Sequence, residues 1–166
     1  MKMKTLLLLR HAKSSWNNPV LRDFDRPLNE RGLKAAPLIG SLLRERRLQP
    51  SLILSSPAER ARQTTALVSQ AAQLNVEPRF DEHIYEASAL ALLEVVSQIE
   101  DEVEQAMLVG HNPGMEELLM TLTGEARRMP TAALALIRLD VKKWSEVREG
   151  TGHLEWLVKP KELARD

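Results

Sequence analysis

At 166 residues the chain has room for one domain, 1–166, with a full hydrophobic core and too little for two. A content of 43% hydrophobic and 28% charged residues argues against disorder; 23 basic against 23 acidic residues leave no net field for nucleic acid or anionic lipid, so any anion site must be local. The absence of cysteine excludes disulfides and thiolate chemistry, and with no stretch near the roughly 20 apolar residues of a membrane span, and an opening apolar run too short for a secretory signal, a cytoplasmic protein is expected.

Leu6-Leu7-Leu8-Leu9 is an apolar run that stops at Arg10-His11. Its length favours a strand buried on both faces of a parallel sheet, which puts Arg10 and His11 at the carboxyl end, where open α/β sheets place their ligand crevices. Residues 18–27 read as a loop carrying Asp23, Asp25 and Arg26. Asn29 is then a helix N-cap, with Leu33, Ala36, Ile39 and Leu43 on one face and Arg44–Arg47 at the C-terminal end. Pro37 predicts that this helix kinks or begins only at Ala36. Ser51–Ser55 is a second buried strand, and Ser56-Pro57-Ala58-Glu59 has the form of a capping box opening a helix to about Leu74, with Ala61, Thr64, Thr65, Val68 and Ala72 facing inward.

A third strand is expected over 76–80, a polar loop over 81–86 and a helix from about Ser88 to Glu100. Gln105–Val109 is a fourth strand ending on Gly110-His111-Asn112-Pro113-Gly114, where Asn112 and Pro113 start a helix lasting to Gly124. Ala132–Leu139 and Leu154–Val158 are final strands, joined through a turn of helix around 142–147, and 159–166 reads as a loose tail. Strands alternating with helices predict an α/β fold: a three-layer α/β/α sandwich, its sheet mainly parallel with an antiparallel edge.

Parallel strands bring Arg10-His11, Arg60 and His111 to one sheet edge. Two arginines and two histidines with no acidic counterweight would repel one another unless an anion sits among them, and a phosphoryl group fits. Arginine presents a planar fork to phosphate oxygens, and the helix starts at Ser56 and Asn112 add backbone N–H groups. Taken singly, Arg60 reads as a surface residue, His111 as a cap and His11 as a donor to a backbone carbonyl; the functional reading rests on their joint placement. Phosphoryl transfer needs positioning and charge stabilisation above all, so His11 can serve as nucleophile, kept neutral by Arg10 and Arg60, while His111 stabilises the equatorial oxygens.

Arg10-His11 with Ser14, Trp16 and Asn17, then Ser56-Pro57, Arg60-Ala61 and Gln63-Thr64, then Gly110-His111-Asn112-Pro113, resembles the histidine phosphatase superfamily, phosphoglycerate-mutase-like, across most of the chain. Asp23, Asp25-Arg26-Pro27-Leu28 and Arg31-Gly32 are similar to its small single-domain phosphohistidine phosphatase branch, SixA-type. The resemblance implies a phosphorylated His11, a phosphate pocket completed by Arg10, Arg60 and His111, and a further phosphate contact from Asn17. It also implies a general acid on the loop after the third strand, for which Glu82 is the first match and Glu86 the second. Two departures stand out: Ala12 replaces the usual glycine, which requires that no positive φ be needed there, and Lys13 makes the rim of the site more positive. The long insertions that close over sugar phosphates in larger relatives are absent, which suits a bulky substrate such as a phosphoprotein.

The expected activity is therefore that of a phosphatase needing neither metal nor other cofactor, acting on a phosphorylated protein or small phosphorylated substrate. Alternatives are a small-molecule phosphomonoesterase or phosphoglycerate mutase, a non-catalytic phospho-binding module, and a metal site built from His11, His111 and Glu82.

Overall fold

The computed structural model describes residues 3–163. Six strands form one sheet in the order β3-β2-β4-β1-β5-β6, comprising β1 (Lys4–Arg10), β2 (Leu52–Ser55), β3 (Arg79–Phe80), β4 (Gln105–Gly110), β5 (Leu134–Leu139) and β6 (Gly152–Val158). β1 pairs in parallel with β4, β4 with β2 and β2 with β3, while β5 and β6 add the antiparallel edge. Leu6 and Leu8 pack into one core and Leu7 and Leu9 into another, which is why the opening strand is leucine throughout instead of alternating. The first core holds residues of α3 (Ala89–Ser97) and α4 (Gly114–Thr123), the second those of α1 (Glu30–Glu45) and α2 (Glu59–Ala72). Helices on both faces of the sheet make the three-layer sandwich.

Several elements differ from the sequence expectation. α1 runs unbroken through Pro37 and does not start at Ala36, because Asn29 caps it seven residues earlier than Ala36 by accepting a hydrogen bond from the Gly32 N–H. Leu33, whose carbonyl loses its usual donor at Pro37, is 46% exposed, so water can satisfy it, and it is not part of the inward face. No capping box forms at α2: its N-cap is Ala58, and the Ser56 hydroxyl is engaged elsewhere. α2 closes at Ala72, where Gln73 turns left-handed. β3 is only Arg79–Phe80, since Pro78 offers no N–H to the ladder. α3 starts after Ser88, which caps it from Oγ, and ends three residues before Glu100. α4 ends at Gly124, whose φ of 78° suits glycine.

The turn at 142–147 is a short 3-10 helix, Trp144–Glu146. Pro160–Leu163 forms a short helix, α5, with Leu163 packed on the second core, so this part of the expected tail is ordered; residues 164–166 lie outside the described residues.

Candidate active site

The parallel registers decide where the polar residues meet. Arg10 pairs with Gly110 and Ser55 with Val109, and the ladder extends past the strands through His11 N–H to Gly110 C=O (3.0 Å) and Ser56 N–H to Val109 C=O (3.0 Å). Three consecutive strands thus end level. His11, Arg10, Arg60 and His111 line one cleft of about 260 Å³, together with Lys13, Ser14, Trp16, Arg26, Asn112 and Thr131.

His11 is buried, and its Nδ1 lies 2.7 Å from the Ala12 carbonyl. A carbonyl can only accept, so Nδ1 carries the proton and the lone pair is on Nε2. Ala12 is fully buried and stays out of the left-handed region, so no glycine is required there. Its N–H donates to Thr64 Oγ1 (2.9 Å), whose hydroxyl donates to the Arg60 carbonyl (2.7 Å), tying the end of β1 to the first turn of α2. Arg60 Nε points at His11 Nε2 from 3.4 Å. The His111 ring centroid is 5.0 Å from that of His11, and its Nε2 is 2.7 Å from Ser56 Oγ. Arg10 donates from Nη1 to the Met129 carbonyl (3.1 Å).

Burial is the largest influence and, with His111 and the two arginines, pushes the His11 imidazolium down to about 3 although the Ala12 carbonyl favours the charged ring. Burial, Arg60 and Arg10 push His111 down to about 4. Both rings are neutral near pH 7.

An acidic counterweight does exist, contrary to the sequence expectation. Asp23, on a 3-10 turn (Asp23–Asp25), accepts from Arg60 Nη2 (3.0 Å), from Arg26 Nε and Nη2 (3.2 and 3.0 Å) and from the Tyr85 hydroxyl (2.6 Å), while its carbonyl takes Arg60 Nη1 (2.7 Å). Burial raises the carboxyl, but these donors outweigh it and hold Asp23 at about 2; burial and the same carboxylate lift Tyr85 to about 12. Arg26 also stacks 3.3 Å over the Trp16 ring. In the sequence Asp23 stood as a loop acid and as part of the motif similar to the small single-domain branch, with no role assigned to it; in the structure Arg60 is buried to 6% exposure, which calls for a carboxylate, and Asp23 supplies it. Tyr85 had no comparable signal.

The expected general acids are not brought to the cleft. Glu82 is exposed on a 3-10 turn (Glu82–Ile84) and lines a different hollow beside Arg79, Phe80 and His83. Glu86 is exposed with φ 53° and is absent from the cleft lining, as is the exposed Asn17. The loop after β3 turns Tyr85 inward instead, its ring edge-on to His111 at 5.5 Å. Among the described residues no carboxylate lines the cleft, and His11, His111 and Glu82 do not assemble as a metal-binding trio. Buried Arg10 Nε, His111 Nδ1 and Asn112 Oδ1 have no protein partner; two are potential donors to an anion in the cleft.

The sequence profile of the histidine phosphatase superfamily, branch 1, matches residues 6–117, from β1 to α4. The chain belongs to the histidine phosphatase superfamily. All four converging residues fall within the matched span. A solved structure from Agrobacterium tumefaciens, provisionally named phosphohistidine phosphatase SixA, is 35% identical with a TM-score of 0.82, covering 96% of this chain and 99% of that one. The protein histidine phosphatase SixA complexed with tungstate shares the fold at 22% identity and a TM-score of 0.83, with coverage of 96% and 99%. An uncharacterized chloroplastic protein of Arabidopsis thaliana is 34% identical over 95% of this chain and 78% of its own length. As a SixA-like member of the histidine phosphatase superfamily, the chain is a phosphatase and its substrate is phosphorylated. Among the described residues no helix is long and apolar enough to cross a membrane.

Proposed function

We propose that the chain is a cytoplasmic, single-domain, metal-independent protein phosphohistidine phosphatase working through phospho-His11. The observation that carries this is the His11 tautomer: Nδ1–H is held by the Ala12 carbonyl, so a neutral Nε2 lone pair faces a cleft of cationic donors. Nε2 attacks phosphorus; Arg10, Arg60 and His111 donate to the equatorial oxygens; the substrate's P–N bond breaks, and its imidazole departs neutral with the proton already on its other nitrogen. Phospho-His11 retains Nδ1–H and is therefore cationic. Water then attacks, the P–Nε2 bond returns its electron pair to the ring, the water proton goes to solvent, and neutral His11 is restored.

The leaving group is supported by what lines the cleft. An alkoxide needs a proton donor, and among the described residues no carboxylate lines the cleft; Asp23, behind Arg60, is ionised throughout the physiological range. An imidazole leaves without one. The phosphate-like oxyanion in the SixA–tungstate structure is in keeping with such a pocket. The test is phosphate release from a phosphohistidine peptide, a phosphoserine peptide and phosphoglycerate, with acid-labile, base-stable label sought on quenched enzyme. The phosphohistidine peptide should have the highest kcat/KM, and His11→Ala should abolish both label and turnover. Faster turnover of phosphoserine or phosphoglycerate would overturn the substrate assignment, and full turnover by a folded His11→Ala protein would overturn the mechanism.

A further inference from the structure

Next to the phosphoryl cleft lies a second hollow, of about 200 Å³, lined by Lys13, Arg31, Lys159 and Lys161 with Thr131 and, among the described residues, by no acidic side chain. Lys13 and Thr131 line both depressions, so the two are continuous. None of these four cations makes a side-chain hydrogen bond or ion pair among the described residues, whereas Arg22, Arg79, Arg127 and Arg138 elsewhere on the surface are each paired with an acid.

The cluster is assembled by backbone geometry. Lys13 is held against the start of α1: Asn29 N–H donates to the Lys13 carbonyl (2.9 Å), and Gly32 packs so closely that a Cβ would lie 2.2 Å from that carbonyl oxygen. Arg31 therefore projects from the first turn of α1 beside Lys13, where a cation opposes the helix dipole and gains nothing from its own helix. Lys159 and Lys161 arrive from the end of β6 and from α5. Four unpaired cations drawn from three separate segments create a positive field on a chain whose net charge is zero.

We propose that this patch is a docking surface for an acidic polypeptide segment flanking the phosphorylated histidine of a protein substrate, which specifies the substrate class of the proposed activity and rests on that assignment. Charge complementarity selects the occupant. Lys13, Arg31 and Lys161 are exposed and Lys159 is half-buried, with no buried donor of the kind that grips a second phosphoryl group, so the four suit several carboxylates spread along a chain. Continuity with the phosphoryl cleft through Lys13 sets the direction in which the segment runs. Contacts of this type act on encounter and on KM more than on the chemical step.

The test uses two synthetic phosphohistidine peptides, identical except that the flanking residues are Glu in one and Gln in the other, with phosphoramidate as a substrate that has no flanks. The variant is R31E/K159E/K161E, all surface positions outside the phosphoryl cleft, with R31Q/K159Q/K161Q as a milder second. Wild-type enzyme should favour the Glu peptide by roughly tenfold in kcat/KM at low ionic strength, and the preference should shrink with added salt. The charge reversal should erase or invert the preference, mainly through KM, with phosphoramidate and Gln-peptide turnover unchanged; the glutamine variant should fall between. Equal kcat/KM for both peptides in the wild type, or equal loss on phosphoramidate, would overturn the proposal. If neither peptide is hydrolysed, the phosphohistidine assignment fails, and the patch is read from inhibition of p-nitrophenyl phosphate hydrolysis by the same peptides. Stronger inhibition by the Glu peptide in wild type, lost on charge reversal, upholds docking; equal inhibition overturns it.

Discussion

Arg60 is buried, faces His11 through Nε and is gripped by Asp23 through both terminal nitrogens. Each terminal nitrogen keeps a second N–H, so the guanidinium can bind phosphoryl oxygens without releasing Asp23. Arg60→Ala should cost about 2.7–4 kcal/mol of transition-state stabilisation, the scale for one preorganised donor. Asp23 touches no reacting atom and acts as a positioning residue. Asp23→Asn should lower kcat on the order of 10²-fold with a smaller change in KM, and a kcat unchanged within experimental error would remove Asp23 from that role. The neutral histidines predict the shape of the pH profile. With His11 held at about 3 and His111 at about 4, kcat/KM for a substrate that does not itself titrate should show no enzyme inflection near 6.5. An acid limb centred there would mean that one of these rings is solvated and charged on the ordinary scale.

At the scale of elements, α1 links the fold to the site. Its N-cap residue Asn29 and its first-turn Gly32 both hold the Lys13 backbone, two residues after the nucleophile. Gly32→Ala would drive a methyl into the Lys13 carbonyl, and because the obstacle is backbone it cannot swing aside. The expected cost is about 1–3 kcal/mol of stability with a loss of activity, measured by denaturant unfolding and phosphate release. Wild-type behaviour in both would show that the contact relaxes freely. Element existence was largely legible in the sequence, because hydrophobic period and flanking turn chemistry are local properties. Its failures are also local competitions: Asn29 capping outweighed Pro37, Pro78 shortened β3, and the Ser56 hydroxyl went to His111 instead of completing a capping box.

For the whole molecule, the buried neutral rings and the ionised Asp23 couple stability to acid. Between 6.5 and the folded values of about 3 and 4, the unfolded chain binds protons that native His11 and His111 refuse, so stability falls as pH drops below 6.5. Asp23 acts in the same direction lower down, contributing above 3.8 and losing that contribution as pH falls through about 2. The melting temperature should therefore decline from pH 6.5 downward, and His11→Ala should flatten the upper part of that decline; parallel curves would place the acid sensitivity elsewhere. Activity should persist in EDTA, since arginines supply the positive charge, and vanadate should inhibit by occupying the cleft. Complete loss on chelation, restored by added metal, would overturn the metal-independent mechanism.

The sequence alone determined that Leu6–Leu9 is a doubly buried strand, that strands and helices alternate, and that Arg10, His11, Arg60 and His111 meet at one sheet edge. These follow from short-range pattern combined with one rule of parallel sheets, so they needed no knowledge of contacts. Only the tertiary structure decided that Asp23 neutralises Arg60, that Tyr85 and not Glu82 or Glu86 turns into the site, and that Lys13, Arg31, Lys159 and Lys161 form one patch. The physical reason is the same in each case. Asp23 and Arg60 lie 37 positions apart, Asp23 and Tyr85 62 apart, and such pairs are chosen by how loops close over a finished sheet, which no local periodicity encodes.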